Sequence, residues 1–93
     1  MNVKDAVKIA IAYVKELFEE EELSNIGLEE ATYDQTQELW KVTVGFSRPW
    51  DYPKQGIVTG LQPVAPRRQY KIVYIEPESK EVKSVKIREV QNA

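Results

Sequence analysis

The chain has 93 residues, of which 42% are hydrophobic and 30% charged, and its formal net charge is −2. These values are typical of one small globular domain and give no overall field that would attract nucleic acid or a membrane surface. The sequence contains neither cysteine nor histidine. Disulfides, thiolate or imidazole metal sites and Ser-His or Cys-His nucleophile pairs are therefore excluded within this chain.

The first predicted element is an amphipathic helix over about residues 3–22, because apolar side chains recur at three- and four-residue spacing. Asn2 can cap its start, with Asp5 as the partner of a capping box. The four glutamates at 19–22 oppose the helix dipole, so we expect the last turn to fray unless a basic group faces it. A solvated surface is the simpler interpretation of this acidic run, and a charged partner surface is the alternative.

Four strands are predicted after the helix, and period-two alternation is clearest in the second, where Trp40, Val42, Val44 and Phe46 alternate with polar or small residues. The four strands cover residues 28–34, 39–47, 68–76 and 82–90. The alternation slips in the last segment, and a β-bulge near Lys83 or Ser84 would explain the slip. Val73 and Ile75 are expected on the second face of the sheet, where they leave apolar surface for self-association or are partly buried.

These elements predict a single α+β domain over residues 1–93, with one N-terminal helix packed on a curved antiparallel sheet of about four strands. The helix, the strand W-K-V-T-V at 40–44 and the segment Y-K-I-V-Y-I-E-P-E-S-K-E-V at 70–82 follow an order that resembles PepSY-like domains. Glu76 stands where those domains usually have aspartate, and Lys80 where they usually have glycine. The resemblance implies a cystatin-like sheet wrapped on a helix and an association with protease propeptides and inhibition.

The segment 48–67 interrupts the strand pattern with four of the five prolines and two of the four glycines. Proline removes ladder donors, so a regular central strand is excluded, and a loop this long in a compact domain tends to be functional. Trp, Tyr and Arg dominate protein–protein contacts. We therefore predict a partner-binding site formed by Arg48, Trp50, Asp51, Tyr52, Arg67 and Arg68. The alternative is that Trp50 and Tyr52 fold back over one end of the core.

No catalytic residue, metal ligand or cofactor is predicted, because no nucleophile or phosphate-binding motif is present. The predicted function is a non-enzymatic protein-binding module, and the same outline is shared by cystatin-like inhibitors and small bacterial immunity proteins. A cytoplasmic location is expected, since no export signal is visible and no apolar run is long enough to cross a membrane.

Two other functions stay open because charge is uneven along the chain. Residues 1–38 hold three lysines against ten Asp or Glu, whereas residues 39–93 hold ten Lys or Arg against five Asp or Glu. The basic half allows single-stranded nucleic-acid binding, with Tyr70 or Trp50 stacking on bases. The basic stripe would consist of Arg67, Arg68, Lys71, Lys83, Lys86 and Arg88. The third function is a structural homo-oligomer, such as a dimer.

Overall fold

The computed structural model describes residues 1–51 and 67–88. In chain order the elements are α1 (Val3–Leu17), β1 (Ser24–Asp34), β2 (Leu39–Ser47), a short 3-10 helix (Pro49–Asp51), β3 (Gln69–Ile75) and β4 (Val82–Ile87). The strands form one antiparallel sheet in the order β1-β2-β3-β4. Helix α1 packs on one face of this sheet, so the predicted α+β class is confirmed.

Helix α1 begins as predicted and ends earlier. The Asn2 side chain accepts a hydrogen bond from the Asp5 N–H at 2.9 Å, and the Asp5 carboxylate accepts one from the Asn2 N–H at 3.2 Å. The helix stops at Leu17 instead of residue 22, so the glutamates at 19–22 lie in the turns that follow it. The repulsion between those carboxylates and the negative end of the helix dipole gives a physical reason for the early end.

The core lies between α1 and the inner face of the sheet. The side chains with 0% exposure are Ala6, Ala10, Val14, Val42, Val44, Phe46, Val73 and Ile75. The expectation that Val73 and Ile75 form an apolar second face is therefore wrong. Cross-strand pairing places Val73 opposite Val42, which faces the helix, so the alternate residues of β3 face outward.

Strand β4 contains the predicted β-bulge. Tyr74 of β3 pairs with Ser84, but Ile75 pairs with Val82, so Lys83 is the extra residue. The bulge brings the apolar residues on both sides of it onto the core face, which explains the slip in alternation. Residues 89 and 90, which were also predicted as strand, lie outside the described residues.

Strand β1 begins at Ser24, before the predicted start at Leu28. The first residues of the strand pair irregularly with β2, which hides them from the sequence pattern. The register shifts between Ser24 and Gly27, and again between Leu28 and Glu30. Asn25 has a φ of 54°, in the left-handed region that asparagine tolerates better than most residues. Each shift changes which side chains share a face, so period-two alternation does not mark these residues as strand.

Candidate functional site

Most of the predicted site residues meet where β2 ends and β3 begins. Arg48 follows β2 directly, and Arg67 precedes β3. The Arg67 N–H donates a hydrogen bond to the Asp51 carbonyl at 2.9 Å, so the residues that flank segment 52–66 are adjacent in space. Tyr52, which was predicted as part of the site, lies outside the described residues.

Asp51 fixes the short turn that presents Trp50. Its N–H donates to the Arg48 carbonyl at 2.9 Å, and its carboxylate Oδ2 accepts from the Arg48 N–H at 2.8 Å. The same oxygen accepts a hydrogen bond from the side-chain amide of Gln69 at 2.9 Å. These bonds tie residues 48–51, called here the Trp50 turn, to the start of β3.

Trp50 lies on the surface of the described structure with 62% of the residue exposed. The Arg48 guanidinium carbon is 5.3 Å from the Trp50 ring, within the range of a cation–π contact. Trp40 differs, because it is half-buried against the core and its ring meets that of Tyr33 edge-on at 5.3 Å. The alternative that Trp50 folds back over the core is therefore not what the structure shows.

Arg48 is mostly buried and links the end of α1 to the Trp50 turn. Its side chain is 18% exposed, and its guanidinium carbon lies 4.9 Å from the Phe18 ring and 5.7 Å from the Phe46 ring. Arg48 Nε is 3.4 Å from Glu21 Oε2. Neither atom has a hydrogen-bond partner in the described part of the chain, so the contact is an ion pair without an aligned hydrogen bond. Arg48 is thus the basic group that faces the acidic end of the helix.

Arg68 crosses the sheet instead of joining the Trp50 turn. Its guanidinium donates to Glu29 Oε1, with Nε at 3.0 Å and the nearer terminal nitrogen at 2.8 Å. A methyl group on Gly45 would stand 2.7 Å from Arg68 Nε and 2.8 Å from Glu29 Oε1. Gly45 therefore leaves the space that this ion pair occupies, and a role of Arg68 in partner binding stays a prediction.

Replacing Gly45 with alanine should lower the free energy of unfolding by no more than about 1 kcal/mol, because the added methyl displaces only the partly exposed ends of the Arg68 and Glu29 side chains. In an Arg68→Ala background the same change should be neutral or stabilising, since alanine is favoured over glycine inside a strand. Urea denaturation of the four proteins gives the double-mutant cycle. An equal loss in both backgrounds would contradict the assigned contact.

A shallow groove of about 450 Å³ adjoins the Trp50 turn, and we call it the basic groove. Its described lining residues are Arg67, Arg68, Gln69, Tyr70, Lys71, Ile87 and Arg88. No acidic side chain is among them. Burial and, after it, the neighbouring Arg48 lower the pKa of Lys71 from its ordinary value, and Glu21 opposes them incompletely.

The basic stripe predicted from the sequence is brought together only in part. Lys83 and Lys86 do not line the basic groove. Lys83 pairs with Glu81 at 3.4 Å, and the Lys86 ammonium lies 5.1 Å from the Tyr74 ring. The groove thus combines the start of β3 with the end of β4.

Sequence reasoning did not select Gln69 or Glu21, although both contact the Trp50 turn. Gln69 is an ordinary polar residue at the start of a strand, and nothing in its neighbours marks it. Glu21 belongs to an acidic run that called for a basic partner, and Arg48 is the first basic residue after β2. That charge complementarity was the one available signal.

Comparison with known proteins gives no relative. No family model, curated protein or solved structure matches this chain. The resemblance to PepSY-like and cystatin-like domains therefore stays a prediction. Among the described residues, no helix is both long and apolar enough to cross a membrane, and no group of three or more acidic side chains is placed to hold a metal ion.

Proposed function

We propose that this protein is a non-enzymatic protein-binding module that uses Trp50 as its anchor. The observation that carries the proposal is the 62% exposure of Trp50 on a turn held by the hydrogen bonds of Asp51. Tryptophan contributes more binding energy at interfaces than most residues. Because its side chain has only two torsions, it loses little conformational entropy on binding. A turn already fixed in the free protein lowers the entropy lost on binding.

The residue inventory supports the non-enzymatic part of the proposal, because the chain has no cysteine or histidine to serve as a nucleophile or general base. An inhibitor or immunity-type module is one concrete form of this function. The resemblance to PepSY-like domains supports the inhibitor form, since those domains are associated with protease inhibition.

Replacing Trp50 with alanine should reduce partner capture from a lysate of the native host by at least about tenfold, because the change removes the anchor. The free energy of unfolding should change by less than about 1 kcal/mol, because most of Trp50 is already in water. Immobilised wild-type and variant proteins, with quantitative mass spectrometry of what they retain, measure the first effect. Urea denaturation measures the second.

Tyr13→Ala is the matched control, because it removes a 37% exposed aromatic side chain from helix α1. We expect this variant to retain the partner. Equal capture by wild type and Trp50→Ala would overturn the proposal. A decrease of about 3 kcal/mol or more in the free energy of unfolding of Trp50→Ala would also overturn it, because such a decrease is characteristic of a core aromatic residue.

A further inference from the structure

We infer that the basic groove binds the carboxylate side chains of an acidic segment in the protein partner that Trp50 anchors. The inference rests on the proposed function and adds the chemistry of the partner. Exposure of Trp50 alone favours an apolar pocket on the partner and gives no information about its charge.

Three cations of the groove have no ion pair among the described residues. They are Arg67, Lys71 and Arg88, whereas Arg68 is neutralised by Glu29 at 2.8 Å. The chain has 15 acidic residues, so carboxylates are plentiful, yet none lines this groove among the described residues. Neighbouring cations without counter-charges raise the local potential and attract anionic ligands.

The surroundings of Lys71 show that this positive charge is incompletely compensated. Lys71 is half-buried, and its neighbour Arg48 adds a second positive charge. The Glu21 carboxylate acts on Lys71, but it already pairs with Arg48 at 3.4 Å. A carboxylate brought by a partner would supply the counter-charge that the described residues do not give.

Two hydrogen bonds of Asp51 join the Trp50 turn to residues that line the groove. The Asp51 carbonyl accepts from the Arg67 N–H at 2.9 Å, and its carboxylate accepts from the Gln69 side chain at 2.9 Å. Both donors belong to residues that line the groove. The Asp51 carboxylate is directed at hydrogen-bond donors of the turn and β3. A partner that covers Trp50 therefore comes near Arg67, Lys71 and Arg88, which have no ion pair within residues 1–51 and 67–88.

The charge pattern favours an acidic polypeptide over single-stranded nucleic acid. A nucleic-acid strand needs a continuous basic path with aromatic rings for its bases. Here Glu21, part of the acidic run after α1, lies 3.4 Å from Arg48, so acidic charge adjoins the Trp50 turn and interrupts any basic path there. Tyr70 is the one aromatic residue among the described lining residues. A short acidic segment beside an apolar contact fits this alternation of charge better than a uniform phosphate backbone.

Binding of a fluorescein-labelled oligo-glutamate peptide, followed by anisotropy at low salt, tests the inference. Reversing two groove cations with Arg67→Glu/Arg88→Glu should weaken binding by at least about tenfold. The matched control is Lys4→Glu/Lys8→Glu, which makes the same change in net charge on exposed positions of α1 and should retain binding. Wild-type binding should also fall as salt is raised.

Three outcomes would overturn the inference: absence of peptide binding, equal loss in the groove variant and its control, or tighter binding of an oligothymidylate of equal length that the groove variant abolishes. The last outcome would assign the groove to nucleic acid. The oligo-glutamate probe has no apolar anchor, so its binding tests the groove, whereas partner capture by Trp50→Ala tests the anchor. Failure of the groove and failure of the Trp50 anchor are therefore distinguishable.

Discussion

Replacing Phe46 with alanine should lower the free energy of unfolding by about 3–5 kcal/mol. Phe46 is 0% exposed at the end of β2, and its ring centroid lies 5.5 Å from that of Phe18. The Arg48 guanidinium also lies against its ring, at 5.7 Å. The substitution leaves a cavity between the sheet and the end of α1, and it removes the ring that the Arg48 guanidinium packs on. Urea denaturation followed by circular dichroism measures the loss.

Phe46→Leu is the control for this prediction, because leucine fills most of the same volume. It should cost clearly less than the alanine change, on the order of 1–1.5 kcal/mol. A loss below about 1 kcal/mol for Phe46→Ala would contradict the assigned packing. Arg48 packs on Phe46 and belongs to the Trp50 turn, so the core contacts the proposed binding site directly.

Replacing Asp51 with alanine should weaken partner capture by at least about tenfold although Trp50 is still present. The Asp51 carboxylate accepts hydrogen bonds from the Arg48 N–H and the Gln69 side chain, at 2.8 and 2.9 Å. Without it, these donors lose their partner and the turn is no longer fixed before binding. We expect a loss of about 1–3 kcal/mol in the free energy of unfolding. Quantitative capture and urea denaturation measure the two effects.

Asp51→Asn separates hydrogen bonding from charge. The asparagine carbonyl oxygen can accept the same two hydrogen bonds, so capture should stay within about threefold of wild type. If asparagine is as harmful as alanine, the negative charge of Asp51 matters and the hydrogen-bond account of the turn is contradicted.

Local signals in the sequence predicted the regular elements well. The capping box of Asn2 and Asp5, the full extent of β2 and the bulge at Lys83 all follow from residues close together in the chain. The end of α1 was predicted too late. Apolar spacing continues to Phe18, but the glutamates beyond it are held outside the helix, where Glu21 pairs with Arg48.

The buried face of β3 could not be predicted from that strand alone. Tyr70, Ile72 and Tyr74 alternate with Lys71, Val73 and Ile75, so both faces carry apolar residues. The choice depends on pairing with β2 and on the face to which α1 packs, and both are long-range features. The residues opposite Val42 and Trp40 in β2 are the ones that face the core.

The sequence located the candidate site but did not separate the roles of its arginines. Arg48 and Arg68 flank the same proline-rich segment, yet Arg48 lies over aromatic rings and Arg68 lies over Gly45. A glycine inside a clear strand often marks close approach of another group, and that signal could have identified the Arg68 contact. The basic groove combines Lys71 of β3 with Arg88, which follows β4, so only the register of the sheet shows that the two residues are neighbours.

The dissociation constant of the purified partner for the Trp50→Ala variant is the most direct test of Trp50 as the binding anchor. We expect it to rise by about 30-fold or more, which corresponds to about 2 kcal/mol of lost binding energy. For the Tyr13→Ala control it should stay within about threefold of the wild-type value. An unchanged dissociation constant for Trp50→Ala, with the variant fully folded, would contradict the assignment of the Trp50 turn as the binding site.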